Sequence, residues 1–179
     1  MKILAIDPGL RRTGYGIIAV EQNRLQYVTS GTIVVPTERS LAWRLQEIAQ
    51  NINAIAHQYQ PDVAAIEKVF VNNNPQSTLL LGHARGTAMC TLALLGLAVS
   101  EYTALQIKKS VVGKGHATKE QVQSMVQYLL KLQQAPSSDS GDALACAICH
   151  AHAAPLNQRL QGIGNFGHRA SMRGGRVIN

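Results

Sequence analysis

Cysteine, acidic residues and long apolar runs are all scarce in this 179-residue chain, and each scarcity closes off a class of protein. Three cysteines are too few, and odd in number, for a disulfide-built secreted scaffold, so a reducing compartment is expected. No apolar stretch approaches the roughly 20 residues of a membrane helix, and the chain runs into a strand after a single lysine. Neither a membrane span nor a secretory leader is expected, which leaves the cytoplasm or the nucleoid. No G-x-S-x-G elbow occurs, and His57, His83, His116 and His168 are scattered without a partner pattern for a nucleophilic triad. Ten acids stand against seventeen Lys and Arg, a net charge of +7 that favours an anionic partner.

What the chain does have is an apolar fraction of 46%, ordinary for a globular domain of this length. The stretch Lys2-Ile3-Leu4-Ala5-Ile6-Asp7-Pro8-Gly9 reads as a buried strand that ends on a carboxylate followed by a turn. Thr13-Gly14-Tyr15-Gly16 leads into a second strand and Leu25 to Val35 forms a third, an antiparallel meander. A dinucleotide fingerprint is disfavoured, because it needs a helix where a strand follows here. From Glu38 to Tyr59, Leu41, Leu45, Ile48, Ile52 and Ile55 mark one face of a helix. Asp62 to Glu67 is a second strand ending in a carboxylate, and as a parallel neighbour of the first it would bring Asp7 and Glu67 to one sheet edge.

Phe70 follows in a loop with three consecutive Asn; it reads either as a packed core residue or as an aromatic that stacks on bases. A helix from about Ser77 to Leu95 carries Gly82 and Gly86, which calls for close packing on the sheet or against another subunit. Leu97 to Tyr102 is the fifth strand, and a basic segment from Gln106 to His116 comes after it. Thr118 with Gln121 is a capping box opening a helix through Leu130. Lys119 in that first turn opposes the helix dipole, which a nearby anion or carboxylate would offset. Asp139 and Asp142 share a face at the start of the last helix. Capping accounts for Asp139 and partly for Asp142, but not for two strand-terminal carboxylates as well. Four converging carboxylates suit a hard cation such as Mg²⁺ or Mn²⁺. Cys146, Cys149, His150 and His152 on one apolar helix are a weak zinc pattern, and core packing is the better reading. Residues 156–179 hold Arg159, Arg169, Arg173 and Arg176, five glycines and no acid, and read as a flexible basic tail.

These blocks resemble, in order, the RuvC family of bacterial Holliday junction resolvases. The resemblance rests on Ile6 to Gly9 with Thr13 to Gly16, Ala65 to Phe70, Leu81 to Gly86, Val111 to Gly115 and Asp139 to Ala145, over about residues 2–153. It implies an RNase H-like α/β fold: a five-stranded mixed sheet with helices on both faces, over residues 1–155, before the tail. It also implies a homodimer that cuts four-way junction DNA with Mg²⁺, Mn²⁺ serving as a substitute, alongside a branch-migration complex of RuvA and RuvB. By the resemblance, Asp7, Glu67, Asp139 and Asp142 are catalytic carboxylates and metal ligands, Lys108 and Lys119 flank the scissile phosphate, and Phe70 faces the junction. Arg11, Arg12, Lys68, Arg85, Lys109 and Lys114 are the further expected DNA contacts. Two metal ions ~4 Å apart would activate a water and stabilise the leaving 3′-oxygen, giving paired nicks with 5′-phosphate and 3′-hydroxyl ends. His83 stands where the family has Gln, and Ser140-Gly141 replaces an Ala-rich pair, which would loosen the turn carrying two ligands. The rival readings are an actin-like ATPase, an RNase H-like nuclease of another branched substrate, and a non-catalytic junction-binding module.

Overall fold

In the computed structural model, which describes residues 1–69 and 74–164 and the side chains of these up to residue 154, five strands form one sheet. Strands β1 (Lys2–Asp7), β2 (Arg12–Glu21) and β3 (Arg24–Val34) are the expected antiparallel meander. The β2–β3 link is two residues, Gln22 and Asn23, at φ 48° and 63°, the left-handed pair that a tight hairpin requires. Beyond α1 (Leu41–Tyr59), β4 (Val63–Glu67) pairs in parallel with β1, and beyond α2 (Pro75–Leu94), β5 (Ala98–Tyr102) pairs in parallel with β4. Three helices complete the described chain: α3 (Ala104–Val112), α4 (Lys119–Leu129) and α5 (Ser138–Gly164). The strand order is β3-β2-β1-β4-β5, the mixed sheet read from the sequence.

Strand alternation divides the apolar residues into two cores. Leu4, Ile6, Ile17, Ala64 and Ile66 pack under α1 and α2, while Ile3, Ala5, Ile18 and Ala65 pack under α3, α4 and α5. The central strand is thus buried on both faces, which is why it reads as an unbroken apolar run. On α1, Ile48, Ile52 and Ala56 face the sheet; on α2, Ala84, Ala88 and Leu92 do. None of the described helices is long and apolar enough to cross a membrane.

Several element boundaries move. Helix α1 starts at Leu41 and not at Glu38, because Ser40 is its cap, its side chain accepting from Trp43 N at 3.4 Å. Helix α2 starts at Pro75, where Asn74 caps it. The basic segment after β5 is in fact helix α3, opened by a Thr103–Gln106 capping box of the same form as Thr118–Gln121. Only Ile107 and Val111 of α3 are buried, so its apolar stripe is too short to announce a helix. The backbone of α5 stays helical past Pro155 to Gly164. Of the two readings for the glycines of α2, packing on the sheet does not hold. A Cβ at Gly82 or Gly86 would meet nothing within 4 Å, and the same outer face exposes Leu79 and Leu94.

Gly14 and Gly16 on β2 are where the fold tolerates no side chain. A Cβ at Gly14 would stand 2.0 Å from the Asp139 carbonyl oxygen, and one at Gly16 2.9 Å from Leu144 N. These two positions let the backbone of α5 rest directly on the strand. Gly14→Ala is therefore expected to destabilise the chain by about 3 kcal/mol, at the upper end of overpacking, because backbone has to move. Gly141→Ala, where a Cβ would meet only ordinary contacts within a helix, should be neutral or stabilising. Urea unfolding of both variants checks the contrast.

Candidate active site

The parallel register of β1 and β4 matches Ile6 with Ile66, so Asp7 and Glu67 leave the sheet side by side at its edge. Thr13 fixes the turn after Asp7: its hydroxyl donates to the Gly9 carbonyl at 2.7 Å. Helix α5 lies across β1 and β2 and delivers Asp139 and Asp142 to the same edge from its first turn. A cleft there is lined by Asp7, Glu67, Lys68 and Asp142, and a second hollow beside it by Glu67, Lys108, Lys119 and Asp142.

Electrostatics registers the convergence. Burial, then Glu67, Asp142 and Asp139, push the Asp7 carboxyl up from 3.8 to about 8, with Lys119 opposing. Glu67 is pushed up by burial and then by Asp142, with Lys119 and Lys108 opposing. Lys119 is pushed up, foremost by its hydrogen bond to Asp142 Oδ2 at 2.6 Å. Its place in the first turn of α4, unfavourable to the helix dipole, is explained by this carboxylate. Asp139 has its own cation, Arg12, whose Nε donates to Oδ2 at 2.6 Å.

Among the described residues, no three Asp, Glu, His or Cys side chains close into a ready-made metal cage. The donor set still fits a hard divalent cation: all ligands are carboxylate oxygens, and desolvation with three neighbouring carboxylates pushes Asp7 up, a strain that added positive charge would relieve. The Cys146–His152 group has other partners. Cys146 is fully buried, the His150 Nδ1 is 2.9 Å from the Tyr102 hydroxyl, and the His152 Nδ1 is 3.2 Å from the Ser110 hydroxyl.

The expected DNA contacts separate into groups. Lys108 lines the hollow beside Glu67. Arg11, Lys68, Lys109 and Lys114 are exposed, with Lys109 turned to a different hollow beside Ser110 and His152. Arg12 is on Asp139, and Arg85 donates to the Glu67 carbonyl at 3.1 Å while pairing with Glu101. Phe70 lies outside the described residues, as do residues 165–179 of the basic tail. Gly141 is not demanded by packing, since a Cβ there would meet Pro136 and Gln123 at ordinary distances of 3.4 and 3.6 Å. Ser140 is buried and donates to the Ser137 carbonyl at 3.1 Å, which stitches the first turn of α5 together. His83 is exposed on α2. Two contributors escaped the sequence reading: Thr32, 3.5 Å from Asp139 Oδ2, and Glu101. Nothing local in the sequence signals either.

Between 3.8 and about 8 the unfolded chain has lost the Asp7 proton and the native chain keeps it, so metal-free stability falls as pH rises across that window and levels off above it. Asp7→Asn removes the titration and should flatten the slope, leaving the variant more stable than the parent at pH 8. Urea unfolding in EDTA at several pH values between 5 and 8 measures it.

The family model of crossover junction endodeoxyribonuclease RuvC matches residues 3–150. A protein of that name from Bordetella avium is 64% identical over 160 residues, 89% of this chain and 88% of its own. One from Bordetella parapertussis is 59% identical over 181 residues, covering 99% of this chain and all of its own. Among solved structures, Thermus thermophilus RuvC in complex with a Holliday junction substrate superposes with a TM-score of 0.83 at 28% identity, over 88% of this chain and 96% of that one. The five-stranded mixed sheet with helices on both faces is thus the RNase H-like fold of those structures. A match running almost the length of the domain, with sequence and fold in agreement, places this chain in the RuvC family of crossover junction endodeoxyribonucleases.

Proposed function

We propose that this RuvC-family chain resolves four-way DNA junctions by paired symmetric nicks, with Asp7, Glu67, Asp139 and Asp142 holding divalent cations. The observation that carries the reading is the convergence of four carboxylates: the parallel register of β1 and β4 sets Asp7 beside Glu67, the start of α5 adds Asp142 and Asp139, and their charges with burial push Asp7 up. Multivalent positive charge in the cleft would offset the repulsion that pushes Asp7 and Glu67 up. Mg²⁺, two per site, is the ion of choice, with Mn²⁺ as a substitute, because small hard cations take carboxylate and phosphate oxygens. When bound, such ions supply an activated water and neutralise the leaving 3′-oxygen.

The chain's own groups do the rest. Asp7 and Glu67, at the ends of paired strands, hold their oxygens on the most rigid part of the fold. Lys108 and Lys119 neutralise charge on the phosphate as it becomes pentacovalent. Phe70 stacks on bases at the junction centre, and Arg11, Lys68, Lys109 and Lys114 hold backbone phosphates, whereas the expected contacts Arg12 and Arg85 are taken up within the chain by Asp139 and Glu101. The product ends are 5′-phosphate and 3′-hydroxyl. Paired nicks need two sites, and the outer face of α2, with Leu79 and Leu94 exposed beside open glycines, supports a homodimer. Residues 1–155 act as the nuclease domain and residues 156–179 as a basic tail that adds phosphate contacts. A branch-migration complex, RuvA and RuvB, would load the enzyme on its substrate, at the nucleoid in the cytoplasm.

A synthetic mobile four-way junction, incubated with and without Mg²⁺ and mapped on every strand, tests the proposal. Metal-dependent, symmetry-related nicks are expected, lost in Asp7→Asn while junction binding persists; binding without cuts would leave a junction-binding module. Phe70→Ala should slow cleavage with little change in melting temperature. A loss of 3–5 kcal/mol in stability would instead make Phe70 a core residue.

A further inference from the structure

Three features of the β2–β3 hairpin converge on one carboxylate. Arg12 and Gly14 are two apart on β2 and so share a face, and Thr32 on β3 is the register partner of Gly14. The first turn of α5 lies over this face, held in backbone contact by the missing side chain at Gly14. Arg12 Nε donates to Asp139 Oδ2 at 2.6 Å, and the Thr32 hydroxyl lies 3.5 Å from the same oxygen and 3.3 Å from the Ser137 hydroxyl. Among the described residues, no hydrogen bond goes to Oδ1.

The carboxylate is therefore gripped by one oxygen, with the other left over. That is the arrangement in which an outer group orients a ligating carboxylate by hydrogen-bonding the oxygen that the metal does not take. A half-exposed ion pair contributes little to folding, so stability is a poor account of so short a bond. A guanidinium suits orientation better than an ammonium would, because its planar N–H groups fix a direction.

We infer that Arg12 is a positioning residue for the metal site, holding Asp139 Oδ2 together with Thr32 so that Oδ1 is presented to a divalent cation. The role differs from a DNA contact, and it rests on the metal reading of the four carboxylates above.

Calorimetric titration of the full-length chain with Mn²⁺ tests it, with Asp7→Asn defining the heat that belongs to this site. Arg12→Gln should weaken Mn²⁺ binding by about 10-fold or more. Thr32→Val should weaken it less, and Arg12→Lys should fall between Arg12→Gln and the parent. Junction binding without metal should be unchanged in Arg12→Gln, and cleavage should recover at saturating Mn²⁺. Parental Mn²⁺ affinity combined with weaker junction binding would make Arg12 a phosphate contact and overturn the inference. If Arg12→Gln does not fold, Thr32→Val decides: unchanged Mn²⁺ affinity there overturns it equally. A parent chain with no Mn²⁺ heat that Asp7→Asn removes would overturn the metal reading itself.

Discussion

Repulsion among Asp7, Glu67, Asp139 and Asp142 is the constraint to which the end of the sheet answers. The fold brings them together through features that cannot easily relax: a parallel strand register and a helix seated on strand backbone. The chain responds in two ways. Lys119 and Arg12 each pair with one of the outer carboxylates, and Asp7 takes up the remaining strain by resisting ionisation.

Secondary elements supply this constraint at small cost to the rest of the domain. The two cores lie on opposite faces of the central strands, and the one under α3, α4 and α5 reaches the acidic edge, where Ile107, Val122 and Ala145 line the hollow beside Glu67, Lys119 and Asp142. Arg85 shows how the edge is kept in place from outside. It joins α2 to the Glu67 carbonyl and to Glu101 on β5, so the end of β4 is braced by a neighbouring helix and strand.

Much of this was legible in the sequence. Strand-terminal acids stand out because a buried strand offers few polar positions, and Asp139 with Asp142 stand out by helical spacing. The meander, the crossover and the capping box at Thr118 followed from local rules, and family membership followed from the order of motifs. Helix α3 was hidden because only Ile107 and Val111 of it are buried, although Thr103 and Gln106 carried the capping signal. The partners of Arg12, Arg85 and Thr32 were hidden for another reason. A long side chain's partner depends on which segments the tertiary fold brings close, and spacing along the chain says nothing of that.

The Arg12–Asp139 pair joins residues 127 apart in the sequence, and Thr32 reaches Asp139 across 107. Contacts of such long range form late, after the loop between them has closed. A chain still being synthesised carries its meander, both parallel strands and Asp7 well before it carries α5. An unfinished or truncated chain lacking that helix would hold half a set of carboxylates on an otherwise plausible sheet. Completion of the proposed centre is thereby tied to completion of the polypeptide, and on that proposal fragments would lack DNA-cutting activity.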